Sequence, residues 1–154
     1  MKTNATRILE SRNIPHEQLT YDSSDGAIDA IAVANKIGAE HEQVFKTLVA
    51  RGDKTGLCVF CIPGPFELDL KKAATASGNK KVELIAVKEL LPLTGYIRGG
   101  CSPIGMKKQY PTWIDETAQL HERIYVSAGA HGAQILINPV YLAEVVEAAF
   151  VDLT

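Results

Sequence analysis

Three short segments of this 154-residue chain combine residue types that do chemistry. The first is Val44-Phe45-Lys46-Thr47-Leu48-Val49, which puts a primary amine inside an apolar strand pattern. Strand alternation places Lys46 on the face shared by Val44 and Leu48. An ammonium on such a face needs a partner or a water-filled cleft. Two roles fit it: an edge-strand lysine whose head reaches water, or a cation at the floor of a pocket that meets a carbonyl oxygen or a phosphate. The second segment is Gly99-Gly100-Cys101-Ser102-Pro103-Ile104-Gly105. Its paired glycines allow close backbone approach and its proline fixes one turn. Such a loop aims several N–H groups at one oxygen, or is simply a tight turn between strands. The third is Ser127-Ala128-Gly129-Ala130-His131-Gly132. It offers N–H groups and the Ser127 hydroxyl to a ligand, and a plain bulged hairpin explains its glycines equally well.

Other constellations carry less. No acidic partner for a serine triad lies near Ser127, so Ser127 is not read as a nucleophile. Cys58-Val59-Phe60-Cys61 is a CxxC, but it falls inside a strand rather than at the start of a helix, so its thiols point to opposite faces. Buried structural cysteines are the expectation, and a CxxC oxidoreductase is disfavoured. There is no second CxxC and no histidine pair at helical spacing, so no metal is expected. Asp22 with Asp25, and Asp115 with Glu116, fit turn and cap positions. The lysine pairs at 71–72, 80–81 and 107–108 fit solvated faces; flanking a pocket, they would also hold a phosphate backbone.

The elements that must position these segments alternate between the two periodicities. Helical patterns cover 4–13, 27–37 and 68–77, with a turn at 87–91 and a last helix opened by Asn138-Pro139 that counts Ala149 among its apolar positions. Strand patterns cover 16–22, 43–50, 57–62, 82–85, 112–114, 123–126 and 133–137. Glycine loops between strands leave no room for crossover helices there, so strands pair mainly by hairpins. The expected class is α+β: a curled, mixed, largely antiparallel sheet or barrel with helices at its periphery.

Composition bounds the function. Hydrophobic residues are 46% and charged residues 22%, which excludes a disordered chain and predicts one domain over 1–154. No apolar run reaches membrane-spanning length and no apolar leader core opens the chain, so no membrane partner and a cytoplasmic location are expected. The formal net charge of −2 argues against binding nucleic acid by bulk charge. Three cysteines cannot all pair within one chain, consistent with a reducing compartment.

Taken in order and spacing, Phe45-Lys46-Thr47-Leu48, the Gly99–Gly105 loop and the Ser127–Gly132 loop, with Tyr21-Asp22 upstream and Lys71-Lys72 after the hairpin, resemble the YbaK/EbsC family. These proteins are freestanding relatives of the editing domain of bacterial prolyl-tRNA synthetases, and the resemblance spans nearly the whole chain. It implies deacylation of a mischarged aminoacyl-tRNA, typically cysteine on the proline tRNA, with cysteine on the cysteine tRNA as a second candidate, without metal or cofactor. It implies that the substrate's own thiol attacks its ester; direct attack by a positioned water is the alternative. The site then comprises Lys46, Gly99 and Gly100 as the groups that hold and polarise the ester, with N–H donors at Gly99, Gly100 and Gly129 on the carbonyl oxygen. Tyr21, Thr47, Cys101, Ser102, Ser127, Gly129 and Gly132 shape the substrate pocket. Sister branches of the superfamily edit alanine or bind without clear catalysis, so an Ala-tRNA(Pro) deacylase and a non-catalytic amino-acid or nucleotide-binding module stay open. The low net charge predicts weak tRNA affinity unaided, which a prolyl-tRNA synthetase partner would remedy.

Overall fold

The computed structural model describes residues 2–154. Eight strands form two sheets. The smaller has the order β1 (Glu17–Thr20), β7 (Ala133–Ile137), β6 (Ile124–Ser127), all antiparallel. The larger has the order β4 (Val82–Leu84), β2 (Phe45–Gly52), β3 (Gly56–Pro63), β5 (Thr112–Asp115), β8 (Ala149–Val151). Its β4–β2–β3 part is antiparallel, whereas β3–β5 and β5–β8 are parallel. The sheets meet at an isolated bridge between Val44 and Tyr125. Curling therefore stops short of a closed barrel, and the α+β class stands.

One core fills the space between the sheets. Phe45, Cys61 and Ile114 from the large sheet meet Val126, Ile135 and Ile137 from the small one. Each isoleucine there is fully buried, worth about 1.5–3 kcal/mol relative to exposure. Helix α1 (Asn4–Ser11) closes this core with Ala5 and Leu9 and is capped reciprocally by Thr3 and Thr6. On the opposite face, Ala50, Phe60 and Ile62 pack against Ala73 and Ala74 of helix α3 (Leu70–Ser77). Cys58 joins that second core, so the two thiols of the CxxC do occupy different faces.

Three helices depart most from the sequence expectation. Helix α2 spans Ala30–Ile37 rather than starting at 27, because the Asp29 side chain accepts from the Ala32 N–H and sets the first turn there. Helix α5 (Pro139–Val146) ends early: Glu147 takes a left-handed conformation (φ 54°). Ala149 therefore belongs to β8, not to the last helix. The chain end is then tied down by the Leu153 N–H donating to Asp115 Oδ1 at 2.8 Å. The turn expected at 87–91 extends to a full helix α4 (Val87–Thr94) closed by Gly95.

Gly64, just past β3, is the contact that sets helix α2 against the large sheet. A Cβ there would lie 2.5 Å from Ala30 Cβ and 3.2 Å from the Val44 carbonyl oxygen. Gly64→Ala is expected to lower stability by about 1–3 kcal/mol, seen as a lower urea midpoint at unchanged slope.

Candidate active site

Part of the expected site lines one cleft of about 840 Å³ where the two sheets part. Its floor is β2 from Val44 to Val49. One wall is the 26–33 segment leading into α2, and the other is the stretch from Leu84 to Leu90. Gly64, Arg98, Gly99, Cys101, Ser127 and Gln134 complete the lining.

Lys46 is half-buried, and its Nζ donates to the Gly64 carbonyl oxygen at 3.1 Å. Desolvation holds its ammonium below the usual lysine range, partly offset by the negative charge of Glu67. The lysine thus keeps donor capacity in a poorly solvated place at the cleft floor. Thr47 lies beside it, with Oγ1 3.8 Å from Cys61 Sγ.

The rim is held rigidly. Lys36 Nζ donates to the Asp22 carbonyl (2.7 Å), to Asp25 Oδ1 (2.7 Å) and to the Ala27 carbonyl (3.0 Å), and sits 5.8 Å from the Tyr21 ring centroid. This anchors the loop that carries Ile28 over Gly99. Gly99 has φ +80°, and a Cβ there would fall 2.5 Å from Ile28 Cδ1, so both conformation and space require glycine. His131 Nε2 donates to the Arg98 carbonyl at 2.7 Å and joins the two glycine loops.

The glycine loops correct part of the expectation. The Gly100 N–H closes a turn on the Ile97 carbonyl (2.9 Å), and the Gly129 N–H is taken by Ser127 Oγ (3.1 Å). Neither is free to face a substrate oxygen; of the glycines in these two loops, Gly99 lines the cleft. Ser102 is fully buried and accepts from the Ile104 N–H. Gly132 accepts from the Tyr21 N–H with its carbonyl (3.0 Å). Tyr21, Ser102, Gly129 and Gly132 thus stand behind the cleft wall, whereas Lys46, Thr47, Gly99, Cys101 and Ser127 form it.

Some lining residues escaped the sequence argument. Gln134 is 5% exposed, and its Oε1 is buried without a hydrogen-bond partner. Its signal was a polar residue inside Ala133-Gln134-Ile135-Leu136-Ile137. Arg98 announced itself as a cation directly before the paired glycines. Leu84, Val87 and Leu90, which make the apolar wall, carry no such mark.

The comparisons with known proteins decide the family. Residues 25–145 match the model of the aminoacyl-tRNA editing domain. The chain belongs to the aminoacyl-tRNA editing domain family. A relative from Enterococcus faecalis, named "Putative Cys-tRNA(Pro)/Cys-tRNA(Cys) deacylase EbsC", is 49% identical over 153 residues, covering 99% of this chain and 93% of that protein. A solved structure described as a "putative trans-editing enzyme for prolyl tRNA synthetase" superposes with TM-score 0.84 at 28% identity, covering 100% of this chain and 98% of the other. A third, the hypothetical protein APE2540, shares the fold at TM-score 0.89 and 21% identity, covering 98% and 99%. The editing-domain fold accounts for the two-sheet architecture, and no helix among the described residues is long and apolar enough to cross a membrane.

In this editing domain Cys61 and Cys101 are not equipped as nucleophiles. Burial pushes the Cys61 and Cys101 thiols up to about 12, so both stay protonated at neutral and mildly alkaline pH. Iodoacetamide at pH 8 is therefore expected to leave Cys61 and Cys101 unmodified in the folded protein while consuming free cysteine. Unfolding in guanidinium should make all three cysteines alkylatable, as read by intact mass.

Proposed function

We propose that this protein is a trans-acting deacylase that removes cysteine from mischarged proline tRNA, with Cys-tRNA(Cys) as a related substrate. One observation carries the reading: a half-buried lysine sits in a largely apolar cleft that supplies no nucleophile of its own. The cleft thiol of Cys101 and the Cys61 thiol behind Thr47 are held neutral, Ser127 Oγ is engaged by Gly129, and Asp29 caps α2. Such a site suits a substrate that is already activated, as an aminoacyl ester is. It also suits a substrate that brings its own attacking group.

The chemistry then runs as follows. Lys46 donates to the ester carbonyl or to the phosphate of the terminal nucleotide, and the Gly99 turn packs against the reacting group. The substrate thiol attacks the carbonyl carbon, the bond from that carbon to the ribose oxygen breaks, and the thiol proton ends on that oxygen. The products are free tRNA and a cyclic thioester, which water opens to cysteine. The editing-domain membership and the names of the relatives support this assignment. A hydrolytic second site is what cysteine requires, because an apolar pocket separates near-isosteres by only about 10–200-fold.

The whole chain acts as one editing unit in this proposal. Its charge of −2 leaves little bulk attraction for tRNA, so prolyl-tRNA synthetase is the proposed partner that brings the tRNA within reach. The cytoplasm, where tRNA is charged, is the corresponding location.

The test is release of labelled amino acid from Cys-tRNA(Pro), Ala-tRNA(Pro) and Pro-tRNA(Pro), with and without the synthetase. Selective cysteine release is expected. Lys46→Ala should slow it by about 10²–10³, the scale of losing one transition-state donor, with its melting temperature preserved because a desolvated charge is removed. Selective alanine release would move the protein to the sister branch. No release from any of the three would leave a binding module.

A further inference from the structure

The pairing of β2 leaves a gap that no side chain reveals. On one side β2 is paired with β3 along its whole length. On the other side, β4 covers only Ala50–Gly52, and β6 reaches only Val44. Which main-chain groups face that second side follows from parity. The Val59 N–H donates to the Pro111 carbonyl, away from β2. The facing pair Val49/Val59 is therefore non-hydrogen-bonded, and so is Thr47/Cys61 two residues along. The Ile85 N–H donating to the Val49 carbonyl at 3.1 Å confirms that odd-numbered residues of β2 point outward here. Thr47 then lies between the two covered ends. Its N–H and C=O both open on the cleft, beside Lys46, while the Gly100 and Gly129 donors are engaged elsewhere.

We infer that the aminoacyl group docks on this gap as a one-residue antiparallel strand, its ester carbonyl accepting from the Thr47 N–H and its α-ammonium donating to the Thr47 carbonyl. The inference rests on the aminoacyl-ester reading above. An α-amino ester carries a nitrogen donor and a carbonyl acceptor with the spacing of one residue in a strand, and a hydrogen-bonded antiparallel pair exchanges both bonds. The ammonium makes its bond charge-assisted. The Thr47 N–H then points at the oxygen on which negative charge develops, so Thr47 acts through its backbone as a catalytic residue. Facing side chains of an antiparallel pair lie on one face. The substrate side chain is thus directed to the Thr47 side, where Cys61 and Cys101 are buried. That confined space admits a short side chain.

The proposal is tested with proline at position 47. Thr47→Pro deletes the outward N–H but no β2–β3 ladder bond, which makes it one of the few strand positions where proline is tolerated. Wild-type turnover of Cys-tRNA(Pro) is measured first; its absence would refute the functional reading and not this geometry. With turnover established, Thr47→Pro should lose about 10²–10³ in kcat. Thr47→Val, which keeps both main-chain groups, should lose at least tenfold less. Equal losses in the two variants would assign the effect to the hydroxyl and overturn the proposal, as would a folded Thr47→Pro with wild-type kcat. A second measurement is independent of how proline is tolerated. A non-hydrolysable 3′-amide of cysteinyl-adenosine added to ¹⁵N-labelled wild type should shift the Thr47 amide proton downfield, and its N-acetylated form should bind at least tenfold more weakly. Saturable binding of the first compound without a Thr47 shift, or equal binding of the two, would overturn the docking geometry.

Discussion

Everything at the cleft depends on incomplete pairing of one strand. β2 is the floor of the site and lies next to an edge, and its outer side is bonded at each end and open in the middle. A fully paired β2 would place Lys46 beside another strand with no room for a ligand. A β2 with no outer neighbours would be a long exposed edge, prone to pairing with other chains. The bridge to Tyr125 and the short strand β4 avoid both outcomes, because each covers only a few residues. The gap is also recessed behind the loop pinned by Lys36, so the open main-chain groups face a cavity rather than a flat surface.

The surrounding structure serves to keep that gap at a fixed width. The core between the sheets sets the distance from β2 to β6 through Phe45, Val126 and Ile135. Helix α2 is set by contact with Gly64, whose own carbonyl accepts from Lys46. The Gly99 turn is set from above by Ile28 and from behind by His131 through the Arg98 carbonyl. Several of these constraints act on backbone atoms. A site that is formed before the ligand arrives loses less on ordering when it binds.

Much of this was legible in the residues and some was not. The β2–β3 hairpin, α3 and the final Asn-Pro helix start followed from periodicity and caps, because each signal is local. Lys46 stood out because an ammonium in an apolar strand is costly anywhere. β8 was hidden: Ala149 continues the apolar spacing of α5, and the break comes at Glu147, a residue type with no preference for the left-handed conformation it adopts. The glycine loops showed that N–H groups were present but not which ones were free, since Ile97 and Ser127 claim two of them through turn closure. Thr47 was legible as a lining residue. Its outward backbone was not, because that depends on where strands distant in sequence begin and end.

The buried thiols at and behind the cleft carry a different consequence. An enzyme that turns an ester into a cyclic thioester holds an acylating agent in its own pocket at every cycle. A thiolate lining that pocket would capture the acyl group and stop the enzyme after one turnover. Cys101 lines the cleft and Cys61 lies in the core behind Thr47, both as small apolar groups, and burial keeps their protons on at any pH the cell reaches. In the proposed cycle, the same burial that makes them poor nucleophiles would let the pocket release a reactive product without being modified by it.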